Sequence, residues 1–159
     1  MKTLYLLRHA KSSKDDPSLK DFDRPLNEKG KAQIQTLAKM ILKEKIQAEV
    51  MISSPAKRAK DTAESIAKLT GYQKEIIYNG KFYEANTEEY AQMIKKTPDE
   101  YSSLMLIAHN PTLENFLSEL ISKETHLSTC SLARVQIPIV QWKNFNLSIQ
   151  GELTALYTP

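Results

Sequence analysis

The chain has 159 residues, 41% of them hydrophobic and 26% charged, which excludes a mostly disordered polymer and fits one domain spanning residues 1–159. Twenty-two Lys and Arg against nineteen Asp and Glu leave a net charge of +3. The basic residues are dispersed, so no nucleic-acid partner is expected, although a local excess of cations would favour an anionic substrate. The one cysteine, Cys130, excludes an intramolecular disulfide and a cysteine-based zinc site and suits a reducing compartment. Arg8 interrupts the N-terminal apolar run too early for a signal peptide, and no stretch of about eighteen apolar residues offers a membrane span. The expectation is a cytoplasmic monomer with no membrane partner.

In chain order, Thr3 to Leu7 reads as a short buried strand ending at Arg8-His9. Lys11 to Pro25 is polar, carries two prolines, and reads as a long loop of the kind that is often functional. From Asn27 onward, Ala32, Ile34, Leu37, Ala38, Ile41 and Leu42 recur at three- and four-residue steps and predict an amphipathic helix. Val50 to Ile52 predicts a second strand. The run Ser53-Ser54-Pro55 then offers a capping serine and a proline at the first helical position, with the helix expected to stop at Gly71. Ile76 and Ile77 suggest a third strand, and Thr87 to Lys96 a further helix. Leu104 to Ala108 is the clearest strand of the second half. It leads through His109-Asn110-Pro111 into a helix with an apolar stripe of Leu113, Phe116, Leu117, Leu120 and Ile121. Arg134 to Ile139 and Glu152 to Tyr157 supply the last strands.

Strands alternating with helices predict a three-layer α/β sandwich, a mostly parallel central sheet flanked by helices. Such sheets bind ligands beyond the carboxyl ends of their strands. Arg8-His9, Ser53-Ser54 and His109 each directly follow an apolar strand, so all three segments belong on one edge. A neutral imidazole can act as a nucleophile, and an adjacent arginine disfavours a second positive charge while offering a planar fork of donors to a phosphoryl group. His109 also precedes a helix, whose N-terminal amides suit an anion. Arg58, about a turn into the helix after the second strand, can reach back over the same edge. Taken singly, each of these residues has an ordinary structural reading: a surface Arg-His pair, a buried histidine, a solvated helix arginine. His126 fits none of these patterns and reads as a surface histidine; Trp142 reads as packing under a loop, and Cys130 as a small buried residue.

Arg8-His9 after an N-terminal strand, Ser54-Pro55 with Arg58, and a late strand ending in His109 resemble, in that order, the histidine phosphatase superfamily with its phosphoglycerate mutase-like fold. Asp23-Arg24-Pro25-Leu26-Asn27-Glu28-Lys29-Gly30 fits the segment that leads into that family's first helix. The short chain, Ala10 where many members carry glycine, and His109-Asn110-Pro111 resemble the SixA-type phosphohistidine phosphatases. The resemblance implies His9 as the nucleophile, Arg8 and Arg58 as phosphate ligands, His109 as a further donor, and Glu84 as general acid. Arg24, Lys11, Ser12 and Asn110 are weaker candidates for substrate contacts. Fixed donors would stand in for a metal, so neither a metal nor a cofactor is expected. Little room exists between Ile76 and Leu104 for an insertion over the pocket, which suits an open site and a phosphohistidine-bearing protein as partner. Two other readings carry less: a phosphate-binding protein without turnover, and a metal-dependent hydrolase using His9, His109 and Glu84, which lacks the close histidine spacing of such sites.

Overall fold

A computed structural model describes residues 1–159. Six strands form one sheet: β1 (Lys2–Arg8), β2 (Val50–Ser53), β3 (Ile77–Tyr78), β4 (Ser103–Ala108), β5 (Leu132–Ile137) and β6 (Glu152–Tyr157), in the spatial order β3-β2-β4-β1-β5-β6. The first four run parallel, whereas β5 and β6 run antiparallel to their neighbours. Four α-helices cover the sheet: α1 (Glu28–Lys43), α2 (Lys57–Thr70), α3 (Thr87–Lys95) and α4 (Thr112–Ile121). No helix is long and apolar enough to cross a membrane.

The strand sequences explain the layering. Along β1, Leu4 and Leu6 face one side of the sheet and Tyr5 and Leu7 the other, and both sides are buried. Leu4, Leu6, Leu104 and Leu106 pack with Tyr90 and Ile94 of α3 and Leu113, Phe116 and Leu117 of α4. Tyr5, Leu7, Met105 and Ile107 pack with Ile34, Leu37 and Ile41 of α1 and Ala59, Ala63 and Ile66 of α2. The result is the expected α/β/α sandwich. Because the chain leaves β1 toward one face and β4 toward the other, a crevice opens between their carboxyl ends, where this topology places ligands. The register puts Arg8 beside Ala108, so His9 and His109 emerge side by side.

Most boundaries lie within a residue of expectation, and three of the differences are instructive. The helix after β2 does not begin at Pro55: α2 starts at Lys57, with Ala56 at its N-cap. Ser54 is therefore no cap, and its hydroxyl is turned to another purpose, described below. Strand β5 begins at Leu132 and ends at Ile137 rather than spanning residues 134–139, because Pro138 has no amide hydrogen with which to extend the ladder. Strand β3 contains Ile77 but not Ile76. The stop at Gly71 holds; this glycine adopts φ +80° and its amide donates to Ala67 O, the left-handed closure that a side chain disfavours.

Candidate functional site

His9 follows β1 and is 7% exposed. Its backbone amide donates to Ala108 O at 3.1 Å, tying it to the end of β4. Its Nδ1–H donates to the Ala10 carbonyl at 2.7 Å, so the lone pair sits on Nε2, which no protein group engages. Burial, with Arg58, Arg8 and Arg24 adding like-charge repulsion, lowers its pKa to about 4 against the opposing effect of the Ala10 hydrogen bond. Burial outweighs the adjacent arginine as the reason the ring is neutral, and Arg58 contributes more than Arg8.

His109 leaves β4 with its ring centroid 5.0 Å from that of His9. Its Nε2 lies 2.7 Å from Ser54 Oγ, and its Nδ1 is buried without a partner. Ser54 Oγ already accepts from the Ala56 amide at 3.2 Å, and its hydroxyl hydrogen has no other acceptor. A Ser54 hydroxyl that donates to Nε2 uses its hydrogen, and with that assignment the imidazole proton is on Nδ1. Burial, then coupling to the neighbouring His9 ring and the charge of Arg58, lowers the His109 pKa to about 3. The ring is thus a neutral donor with its N–H unspent.

Arg58 is the second residue of α2, not a turn inside it, and its side chain is 9% exposed. Nη1 donates to Asp21 O at 2.7 Å and Nη2 to Asp21 Oδ2 at 3.0 Å. Arg8 donates from Nη1 to Leu127 O at 3.0 Å, while its Nε is buried and unpartnered. Of the four buried side-chain polar atoms without a hydrogen bond, Arg8 Nε, His109 Nδ1 and Asn110 Oδ1 all belong to residues at this strand edge. Orphaned buried polar atoms are rare and costly unless a ligand completes them.

An open cavity of about 530 Å³ lies here, and no hydrophobic residue lines it. Its walls include His9, Asn110 and Ser12, and five cations, Arg8, Lys11, Lys14, Arg24 and Arg58, face a single carboxylate, Asp15. Arg24 holds the wall in shape: Nε donates to Ser13 O at 3.0 Å, Nη2 to Ser12 Oγ at 2.6 Å and Nη1 to Asp21 Oδ1 at 2.8 Å. The loop after His9 is fixed from behind by Thr62, which accepts from the Ala10 amide at 3.0 Å and donates to Arg58 O at 2.7 Å.

Glu84 is not brought into this cavity. It is exposed and makes no hydrogen bond to any residue that lines the cavity. The carboxylate bound to the cavity's own arginines, Arg24 and Arg58, is Asp21, which sequence reasoning missed. Its Oδ2 accepts from Tyr83 Oη at 2.7 Å in addition to Arg58. That Tyr83 hydrogen bond, followed by those of Arg24 and Arg58, holds the Asp21 carboxyl far below the usual carboxylate range. The signal available in the sequence was its spacing, three residues before Arg24 in a polar loop. His126 is exposed as expected, with Nδ1 2.8 Å from Glu114 Oε2, and Trp142 is fully buried with its indole N–H on Tyr101 O at 2.8 Å. No group of three or more His, Cys, Asp or Glu side chains is gathered closely enough to hold a metal ion.

A neutral histidine with a free lone pair, a second histidine offering an N–H, and buried guanidinium groups in a cationic cleft define a protein that handles phosphoryl groups at a switch-point crevice. Residues 4–119 match the histidine phosphatase superfamily (branch 1), and the chain belongs to that family. An uncharacterized chloroplastic protein of Arabidopsis thaliana is 33% identical over 98% of this chain and 77% of its own length. A protein of Hydrogenobacter thermophilus named for phosphoserine phosphatase is 32% identical over 74% of this chain and 54% of its own length. A protein of Agrobacterium tumefaciens named for the phosphohistidine phosphatase SixA superposes with a TM-score of 0.85 at 28% identity, covering 99% of this chain and 98% of its own. Family and neighbours together make this protein a phosphatase of the SixA-like type.

Proposed function

We propose that the protein is a metal-independent phosphohistidine phosphatase in which His9 carries the phosphoryl group. The observation that carries this reading is the hydrogen bond from His9 Nδ1 to the Ala10 carbonyl. It leaves a neutral imidazole with its Nε2 lone pair at a cleft lined by cations. In the first half-reaction, Nε2 attacks phosphorus and the bond from phosphorus to the leaving atom breaks, its electron pair departing with the leaving group. Arg8, Arg58 and the Nδ1–H of His109 hold the equatorial oxygens as charge redistributes. Each fixed donor of this kind is commonly worth about a hundred- to a thousand-fold in rate. In the second half, water attacks phospho-His9 and releases inorganic phosphate. Arg24, Lys11, Ser12 and Asn110 shape the cleft around the incoming group. The donors supply the positive charge that magnesium provides elsewhere.

The open cleft, without an insertion over it, favours a phosphohistidine on a protein surface over a small enclosed ligand. A small phosphoester handled by the same His9 chemistry is the second reading, favoured by the relative named for phosphoserine phosphatase. The protein is read as a single-domain cytoplasmic monomer. The test is phosphate release from a phosphohistidine peptide with chelator present, wild type against His9→Ala. The expected result is turnover by wild type, none by the variant, and an acid-labile phosphoryl group trapped on the wild-type chain. Wild-type activity in His9→Ala, or its abolition by chelator, would overturn the mechanism.

A further inference from the structure

Beside the cleft, bonded to two of its lining arginines, stands an anion rather than a proton donor. Asp21 is 53% exposed at its side chain, so a bulky substrate can reach it, yet its two oxygens are already held by Tyr83, Arg58 and Arg24. A carboxylate with three such donors stays ionised and cannot protonate a departing oxygen. It can accept an N–H. Beside it the Phe22 and Tyr83 rings meet edge to face at 5.1 Å, and Tyr83 in turn meets the His109 ring at 5.5 Å. Phe22 is 37% exposed, so the outer part of this aromatic pair is open to a substrate. An aromatic step therefore runs from the rim inward to the histidine pair, with a fixed carboxylate alongside.

We propose that Asp21, Phe22 and Tyr83 form a leaving-group subsite that selects a planar, N–H-bearing nitrogen leaving group, the imidazole of phosphohistidine, over an alkoxide. The inference rests on the phosphatase reading above and names what makes its substrate class. Phosphohistidine carries its phosphorus on one ring nitrogen and, when the ring is protonated, an N–H on the other. Asp21 accepts that N–H while the Phe22 and Tyr83 rings contact the flat cationic ring. As His9 Nε2 bonds to phosphorus, the P–N bond breaks and its electron pair returns to the leaving nitrogen. The imidazole departs neutral, keeping the one proton it brought, so no acid is consumed. An alkyl phosphoester would leave as an alkoxide and would need a proton that Asp21 does not hold. An aryl phosphate, whose phenolate leaves unaided, lies between the two.

The experiment compares kcat/KM for a phosphohistidine peptide, 4-nitrophenyl phosphate and a phosphoserine peptide in wild type, Asp21→Asn, Asp21→Glu, Phe22→Ala and His9→Ala. Asp21→Asn lowers the phosphohistidine-to-aryl ratio by about tenfold or more, the scale of one charge-assisted hydrogen bond; Asp21→Glu restores part of it, and Phe22→Ala lowers it less. The ratio is independent of how much of a variant is folded, since both substrates meet the same active fraction. If both activities of Asp21→Asn fall together and the ratio holds, Asp21 only positions Arg58 and the subsite is wrong. Equal wild-type rates on phosphohistidine and phosphoserine would also overturn it. Failure of the underlying reading looks different: wild type would release no phosphate from phosphohistidine, or His9→Ala would retain turnover.

Discussion

At the residue scale, each side chain is given a protonation state by its surroundings. A buried histidine meets desolvation that disfavours its cation, and the arginines that bind an anion add to the same bias. His9 accordingly titrates near 4 and His109 near 3, so both are neutral throughout the physiological range. In the unfolded chain a histidine binds its proton near 6.5. Between about pH 6.5 and 4 the unfolded state therefore holds more protons than the native state, and stability falls as pH falls through that window. Chemical denaturation of wild type is expected to show this loss, and His9→Asn to show a shallower slope; equal slopes would mean that His9 is protonated in the native protein. The acid limb of the kcat/KM profile belongs below pH 5 for the same reason. Ser54 has a subtler part, because a hydroxyl that donates to Nε2 keeps the His109 proton on Nδ1. Ser54→Ala removes that choice of tautomer. It is expected to lower kcat by about tenfold or more while leaving KM within a fewfold, whereas Ser54→Thr retains activity. An unchanged kcat in Ser54→Ala would show that the tautomer is set by the bound phosphate instead.

At the scale of elements, the site depends on how closely the loop after His9 is pressed against α1. Asn27 caps that helix, its Oδ1 accepting from the Gly30 amide at 2.8 Å, while its own amide donates to Lys11 O at 3.1 Å. A Cβ on Gly30 would collide with the Lys11 carbonyl oxygen, and backbone cannot swing aside as a side-chain tip can. The closing glycine of the Asp-Arg-Pro-Leu-Asn-Glu-Lys-Gly run is therefore a close-approach residue rather than a flexible one, despite the ordinary preference for alanine inside a helix. Gly30→Ala is expected to lower Tm and to raise KM, because Lys11 and Ser12 would be pushed into the cleft; a stabilised variant with normal KM would refute the packing argument. Elements and site were unequally legible in the amino-acid order. The strands and helices stood out because β1, β2 and β4 are buried on both faces and every helix keeps one apolar stripe. The strand-end histidines followed from topology alone. Asp21 and Tyr83 did not, since their place at the cleft depends on the path of a polar loop that no periodicity marks. Glu84, expected from resemblance, depends on the same loop path: one residue past Tyr83, it is exposed and makes no hydrogen bond. Ser54 was misread as a helix cap because Ser-Pro before a helix commonly is one, and only the two-residue delay of α2 frees its hydroxyl for His109.

At the scale of the whole molecule, a modest net charge of +3 conceals a strongly asymmetric cleft. Five cations and one carboxylate line it, and the side chain of Arg58 among them is only 9% exposed. A folded protein of this kind holds unfavourable like-charge contacts that an oxyanion relieves, while the unfolded chain has no assembled site. Inorganic phosphate should therefore bind the native state alone and stabilise it by mass action. At a hundredfold excess over Kd the gain is about 2.7 kcal/mol, which for a chain of this size raises Tm by roughly 5–10 °C. Added chloride would weaken the effect only partly, since screening acts less on the buried Arg58 than on exposed lysines. Thermal melts across a phosphate series, with sulfate and chloride at matched ionic strength, measure this directly. Arg58→Ala should abolish most of the shift, and Lys14→Ala little of it. A Tm rise that survives in Arg58→Ala, or that chloride reproduces, would mean that phosphate acts as a general salt and that the cleft is not an oxyanion site.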